Sequence, residues 1–168
     1  MEFRSLIEKR RSIRRFTGAA LPDGALETIL SAGNLANSAK NRQKWAFVAV
    51  TEKPTLEAMV PACRNQAFIG EAGAAVAVCS TEDYTMSCGN PAHFIDCAIA
   101  LDHMQLCACD IGLGSCWLGA FDQAAAREVL GVPLEITIVG ILVIGIPAEE
   151  GRPKSRVPLE DIVHRNKW

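Results

Sequence analysis

The chain has 168 residues, of which 49% are hydrophobic and 21% charged, a composition that excludes a disordered protein and suits one domain with a hydrophobic core. Its formal net charge is −2 and only 6% of its residues are aromatic, which argues against a protein that coats nucleic acid. The longest apolar run, residues 136–147, is too short to cross a bilayer, and the N-terminus lacks the apolar core of a signal peptide. The sequence therefore predicts a soluble cytoplasmic protein with a single domain over residues 1–168.

Hydrophobic periodicity predicts that helices alternate with short buried strands. In chain order we expect a helix at 2–10, a helix at 21–36, a polar loop at 37–44, a strand at 45–50, a helix at 53–62, a strand at 74–80, a turn-rich loop at 81–91, a helix at 92–111, a strand or extended segment at 113–121, a helix at 122–133, a strand at 135–145 and a tail at 152–168. The β-branched run at 135–145 is the best candidate for a central strand. The alternation implies an α/β or α+β sheet that helices cover on both faces.

Local chemistry predicts where two of these helices begin and end. Pro22 and Asp23 are expected to open the second helix. Asp122 is the expected N-cap of the helix at 122–133, and Gly131 its expected C-cap.

The predicted helix at 92–111 is apolar around most of its circumference. A surface helix needs only one apolar stripe, so this helix must be buried on more than one side. In a small domain the second cover can come from another subunit. We therefore expect a homodimer.

Several familiar motifs are incomplete in this chain. Segment 112–119 is rich in glycine, but Trp117 replaces the third glycine of a dinucleotide-binding turn. Ala120 and Phe121 stand where a phosphate-binding P-loop needs lysine and a hydroxyl. The three histidines and seven cysteines lack metal-like spacing, and no C-x-x-C pair occurs. We therefore predict no metal site and interpret the cysteines as mostly buried, reduced thiols.

Basic residues are concentrated at the two ends of the chain. Residues 1–16 carry six basic side chains against two glutamates, a net charge of +4, so the remainder carries −6. A second cluster, Lys154 and Arg156, lies in the tail. Two compact clusters suit a small dianion held between them, since hydrogen bonds from charged donors contribute roughly 1.5–3 kcal/mol each. Taken alone, these residues leave solvated surface charge as an open alternative.

Four segments, in order along the chain, resemble the FMN-dependent nitroreductase family. They are RRSIRRF at 10–16, NSAKNRQKWAF at 37–47, GLGSCWLGAFD at 112–122 and RPKSRVPLEDIVH at 152–164. The resemblance covers essentially the whole chain, which looks like a compact member of that family. It implies an α+β sandwich with a mostly antiparallel central sheet flanked by helices. It also implies an intertwined homodimer with two FMN molecules at the subunit interface.

The resemblance assigns the FMN phosphate and ribityl chain to residues from both ends of the chain. The expected ligands are Arg10, Ser12, Arg14, Lys154 and Arg156. The backbone of Arg11 is expected to lie against the pyrimidine side of the flavin.

The same resemblance assigns the isoalloxazine ring to two other segments. Ser38, Asn41 and Gln43 match the polar loop of the family; Asn41 would meet the ring near its N3/O2/N5 edge, and Gln43 would come from the partner chain. The backbone N–H groups of Leu118 and Gly119 would point at flavin N5 and O4. Two-electron reduction places charge and a proton near N5, so donors there tune the potential, and no side chain need act as acid or base.

The implied activity is NAD(P)H-driven, ping-pong reduction of a nitroaromatic, quinone or similar electron-poor acceptor. Asn37 replaces a proline that is usual in the family, and Lys44 stands where proline often precedes the tryptophan; the added charge of Lys44 could favour an acidic substrate. The segment 62–93 is short and lacks the inserted helices of larger members. Two alternatives therefore stay open: a flavin-binding or storage protein of the same fold with little turnover, and another flavin reaction such as reductive dehalogenation.

Overall fold

The computed structural model describes residues 2–168, in which helices and strands alternate as the periodicity predicts. The helices are α1 (Phe3–Lys9), α2 (Ala25–Asn34), α3 (Lys53–Ala62), α4 (Ala92–Asp110) and α5 (Gln123–Leu130). The strands are β1 (Trp45–Val50), β2 (Ala74–Ser80), β3 (Gly114–Leu118) and β4 (Thr137–Gly145). Short 3₁₀ turns lie at Ala39–Asn41, Ala67–Ile69 and Leu159–Asp161.

The four strands form one sheet in the order β1-β2-β4-β3, and every neighbouring pair is antiparallel. β2 and β4 occupy the centre, which confirms the expected place of the β-branched run. β2 is buried at all of its positions, as its uninterrupted apolar sequence requires. β1 and β3 are the two edges, a placement that matters for the site.

Each face of the sheet has its own hydrophobic core, because successive side chains of a strand point to opposite faces. On β2, Ala75 and Ala77 pack in the core formed with α3 and α5. Val76 and Val78 face the other way and pack in the core formed with α2 and α4. Helices thus cover both faces of an antiparallel sheet, which confirms the α+β sandwich.

The start of α2 differs from the prediction. The helix begins at Ala25, and its N-cap Gly24 adopts a left-handed φ of +74°. The carbonyl of Pro22 accepts the N–H of Ala25 at 3.1 Å, so Pro22 and Asp23 form the turn before the helix instead of its first residues.

The boundaries of α5 follow the predicted chemistry. The Asp122 carboxylate accepts the N–H of Ala125 at 2.9 Å, and Gly131 ends the helix with a φ of +64°. Both expected caps are confirmed. The segment predicted at 113–121 as a strand or extended segment contains β3, which ends at Leu118.

Apolar side chains remain uncovered on two parts of the chain. Phe94 and Ile95 on α4 are 45% and 41% exposed, although the sheet-facing side of that helix is fully buried. The tail at 152–168 contains one 3₁₀ turn, and its Leu159 and Trp168 are 69% and 98% exposed. The predicted homodimer stays a prediction, because the structure describes one chain. No helix within residues 2–168 is long and apolar enough to span a membrane.

Candidate functional site

The basic segment, residues 10–16, lies in an extended conformation along the ends of β3 and β4. Ser12 forms a bridge with Ser115, and the N–H of Ile13 donates to the Ser115 carbonyl at 2.9 Å. The buried side chains of Ile13 and Phe16 anchor the segment in the core. This alternation of apolar anchors with basic residues explains why a charged segment packs against the sheet at all.

Two glycines allow the segment to approach the strands closely. A Cβ atom at Gly114 would lie 3.0 Å from the side chain of Ile13. A Cβ atom at Gly145 would lie 2.7 Å from the ring of Phe16. Both distances are shorter than ordinary van der Waals contacts, so larger residues would push the basic segment away from the sheet.

The tail returns to the basic segment and meets it. The Lys154 ammonium donates to the carbonyl of Ile7 at 2.8 Å, near the end of α1. The N–H of Arg14 donates to Glu149 Oε1 at 2.7 Å, upstream of the tail. These contacts bring together the two basic clusters that stand at opposite ends of the chain.

The electrostatics of Lys154 and Cys116 reveal how close the basic side chains are. Burial lowers the pKa of Lys154, and the positive charges of Arg10, Arg156 and Arg11 lower it further. Burial raises the pKa of the Cys116 thiol, while the charges of Arg14 and Arg10 oppose that rise. The basic residues therefore form one cationic cluster beside β3, and their mutual repulsion favours a bound anion.

Within residues 2–168 no carboxylate forms an ion pair with the side chains of the cluster, although the Glu149 carboxylate lies beside it and accepts the N–H of Arg14. The ion pairs of this part of the chain lie elsewhere and do not involve the side chains of Arg10, Arg14, Lys154 or Arg156. Like charges this close together repel one another, so the cluster favours a bound anion such as a phosphate.

Arg11 differs from its neighbours because its guanidinium is used locally. It donates to the carbonyls of Glu8 and Arg10, and so interacts with the C-terminal end of α1. The side chain also lines a cleft of about 530 Å³ with Lys9 and Cys109. Such an arrangement agrees with the expectation that Arg11 meets a flavin through its backbone.

Leu118 and Gly119 lie at the end of β3 away from the residues that bridge to the basic segment. Leu118 is buried in the core, whereas Gly119 is exposed and would have no atom within 4 Å of an added Cβ. The chain thus leaves open space beside the Gly119 backbone, on the same edge strand as the cationic cluster.

The polar loop adopts an unusual backbone conformation before β1. Lys40, Asn41 and Gln43 have φ values of +54°, +54° and +52°, in the left-handed region that side chains disfavour. Ser38 Oγ accepts the N–H of Gln43 at 3.0 Å, and Gln43 Nε2 donates to the Asn41 carbonyl at 3.1 Å. Asn41 and Gln43 are exposed, so both are available to a ligand or a partner.

The sheet separates the predicted residues into two groups within one chain. The cationic cluster and Gly119 lie at the β3 edge, and the polar loop leads into β1 at the opposite edge. Three strand spacings put these edges about 14 Å apart. Within a single chain, the basic segment and the tail therefore lie together, whereas the polar loop lies apart from them.

Comparison with known proteins then identifies the family. Residues 7–83 and 57–146 match the model of the Nitroreductase family. The chain belongs to this family. It is 33% identical, over 97% of each chain, to an Archaeoglobus fulgidus protein whose name pairs NADH dehydrogenase with NAD(P)H nitroreductase.

Solved structures of nitroreductases have the same fold. A nitroreductase family protein from Clostridium difficile 630 matches with a TM-score of 0.87 and 29% identity, over 100% of both chains. An FMN-dependent nitroreductase from Clostridium difficile R20291 matches with a TM-score of 0.83 and 28% identity, over 97% of this chain and 98% of that one. The nitroreductase fold expected from the sequence is confirmed.

Sequence reasoning missed two acidic residues that support the polar loop of this nitroreductase family member. Asp96, on α4, is only 8% exposed, and both of its carboxylate oxygens lie 3.1 Å from the N–H of Ala39. Glu82 pairs with Arg42 and with Lys44, the latter at 3.6 Å. A carboxylate within the apolar sequence of α4 was the one available signal for Asp96.

No group of three His, Cys, Asp or Glu side chains within residues 2–168 is arranged to hold a metal ion.

Proposed function

We propose that this chain is an FMN-dependent NAD(P)H oxidoreductase with one FMN-binding domain over residues 1–168. The observation that carries the proposal is the cationic cluster of Arg10, Arg14, Lys154 and Arg156 in a member of the nitroreductase family. The names of its relatives support a flavin enzyme that uses a nicotinamide donor. FMN suits the site better than riboflavin because its phosphate supplies the dianion that the cluster needs.

The chain would hold the phosphate and the ribityl chain of FMN with residues from both basic clusters. Arg14, Lys154 and Arg156 would bind the phosphate, and Arg10 and Ser12 would bind both the phosphate and the ribityl chain. The phosphate ligands come from the two ends of the chain, and the Lys154–Ile7 contact is one of those that bring these ends together. The bidentate geometry of arginine suits a phosphate that must be held in one orientation.

The backbone near Leu118 and Gly119 would face the reactive edge of the ring, where the chain leaves open space. The backbone of Arg11 and the side chain of Asn41 would contact its pyrimidine part. FMN supplies the redox chemistry when bound, taking two electrons from a nicotinamide and giving them to an acceptor. The role of the protein is then to bind, to orient and to donate hydrogen bonds, with no side chain required as a general acid or base.

The site is complete only in a homodimer, in which the partner subunit contributes its polar loop with Ser38, Asn41 and Gln43. Two observations support this arrangement. The polar loop and the cationic cluster lie at opposite edges of one sheet. The exposed apolar residues of α4 and of the tail also need cover, which a second copy can provide.

The proposed acceptors are nitroaromatics, quinones and similar electron-poor molecules, reduced in a ping-pong cycle. The support is that Gly119 is exposed and no atom lies within 4 Å of a Cβ added to it, so the backbone there is accessible. The donor and the acceptor would bind there in turn.

The purified protein should be yellow, and the supernatant after heat denaturation should contain FMN rather than FAD. Anaerobic mixing with NADH or NADPH in a stopped-flow instrument should bleach the flavin, and a quinone should then restore its colour. Colourless protein that cannot be reconstituted with FMN would contradict the proposal. Protein that binds FMN but is not bleached by either nucleotide would point to flavin storage.

Light scattering at micromolar concentration should give twice the mass of one chain. Removal of residues 158–168 should weaken the dimer, because it removes the exposed apolar residues Leu159, Ile162 and Trp168 but keeps Lys154 and Arg156. The variant should therefore retain the phosphate ligands while its dimer dissociates at higher concentration. A monomeric full-length chain would argue against the shared site.

A further inference from the structure

We propose that Asp96 and Glu82 are positioning residues that hold the polar loop in its flavin-binding conformation, an inference that rests on the proposed function. Neither residue would touch the flavin. Each would act through the loop, Asp96 on its backbone and Glu82 on its side chains.

The loop needs outside support because its own geometry is unfavourable. Lys40, Asn41 and Gln43 are left-handed, although none is a glycine. Residues in such conformations persist when surrounding contacts determine them, and they are concentrated at functional sites. Two backbone hydrogen bonds close the 3₁₀ turn of the loop, from the N–H of Asn41 to the Ser38 carbonyl and from the N–H of Arg42 to the Ala39 carbonyl. The two side-chain hydrogen bonds of the loop, between Ser38 and Gln43 and between Gln43 and Asn41, are exposed and compete with water.

Asp96 ties the backbone of the loop to a buried side chain on α4. Its carboxylate projects from α4, is 8% exposed, and accepts the N–H of Ala39 with both oxygens at 3.1 Å. Ala39 immediately precedes the left-handed pair, so this contact fixes the start of the turn. A charged acceptor in a buried place binds its donor more strongly than a neutral one does. Because α4 also packs against the sheet, the loop is tied to the rigid part of the fold.

Glu82 holds the other end of the loop through its side chains. It pairs with Arg42 and lies 3.6 Å from the Lys44 ammonium. The Arg42 guanidinium also stacks over the ring of Tyr84, 4.4 Å from its centroid, and Lys40 lies 5.7 Å from the same centroid. Arg42 stands between Asn41 and Gln43 in the sequence. The contacts of Arg42 with Glu82 and Tyr84 therefore restrain the backbone between the two predicted flavin contacts, Asn41 and Gln43.

These two supports act from different directions on one short segment. The consequence is a loop that is ordered before the flavin arrives, so binding need not supply the cost of ordering it. Segment 81–91 therefore supports the polar loop, because its Glu82 and Tyr84 both contact Arg42.

The test compares Asp96→Asn, Asp96→Ala and Glu82→Gln in the full-length protein, with Glu128→Gln as the matched control on the exposed face of α5. Hydrogen exchange in the FMN-free protein should show faster exchange of the amides of residues 39–43 in the first three variants. Dissociation constants for FMN and for riboflavin should both rise by at least about tenfold in Asp96→Ala, and less in Asp96→Asn. Glu128→Gln should match the wild type in every measurement.

Riboflavin separates the loop from the phosphate cluster. A loop that orients the ring affects both flavins by the same factor, whereas loss of a phosphate contact affects only FMN. Lower melting temperatures in the variants with unchanged flavin affinity would overturn the inference, because they would show a purely structural role. Failure of the wild type to bind FMN would instead refute the proposed function, so the two failures are distinguishable.

Discussion

The double variant Arg14→Ala/Arg156→Ala should bind FMN at least about 100-fold more weakly than the wild type. Each charged hydrogen bond to a phosphate contributes about 1.5–3 kcal/mol, and 1.4 kcal/mol corresponds to a factor of ten in affinity. The two arginines belong to the cluster that shifts the pKa values of Cys116 and Lys154, and neither side chain has a carboxylate partner within residues 2–168. Fluorescence titration of the FMN-free protein measures the effect.

The matched control for this variant is Arg4→Ala/Arg15→Ala. It removes the same amount of charge, but Arg4 pairs with Glu8 and is 91% exposed, and Arg15 is exposed as well. Its FMN affinity should stay close to that of the wild type. The double variant at Arg14 and Arg156 should also retain its affinity for riboflavin. Equal losses in both double variants would mean that general positive charge, and not a specific cluster, attracts FMN.

The FMN-free protein should lose much of its stability between pH 9 and pH 11. Burial raises the pKa of Cys63 and of Cys79 from 9.0 to about 11, and that of Cys97 to about 12. In this window the unfolded chain releases these protons while the folded chain retains them, so stability falls as the pH rises. Each thiol contributes a loss of about 1.4 kcal/mol per pH unit. Three thiols together remove several kcal/mol, a large part of the stability of an ordinary domain.

Urea denaturation at a series of pH values measures this slope. Cys63→Ala should reduce the fall of the unfolding free energy with pH by the contribution of one thiol. Cys88→Ser should leave that fall unchanged because Cys88 is exposed. Comparing each variant with the wild type cancels every contribution that the proteins share. Equal slopes in both variants and the wild type would show that thiol burial does not control alkaline stability.

The elements of the fold could be predicted because their signals are local. The uninterrupted apolar runs of β2 and β4 correspond to central strands, and the chemistry of Asp122 and Gly131 correctly predicted the ends of α5. The start of α2 was wrong because Pro22 and Asp23 suit a turn as well as a first helical turn. Gly24, with its left-handed φ, settles that choice in favour of the turn.

The candidate site was only partly accessible from the sequence. The basic motifs indicated an anion site, and the resemblance to the family named the anion. The supporting residues Asp96 and Glu82 carried no motif, since their role depends on contacts across the fold. Asp96 reaches Ala39 over 57 positions, and Glu82 reaches Arg42 over 40. No periodicity or spacing rule encodes such pairs.

By itself, the sequence determined the succession of elements, the double burial of the central strands, the family and the existence of two basic clusters. Each of these follows from local hydrophobic pattern or from motifs that need no partner. Only the tertiary structure decided that Lys154 meets the end of α1 across 147 positions, that the polar loop lies at the opposite edge of the sheet, and that a buried carboxylate holds it. The physical reason is that packing and buried charge depend on which distant segments become neighbours, and the chain acquires those neighbours only when it folds.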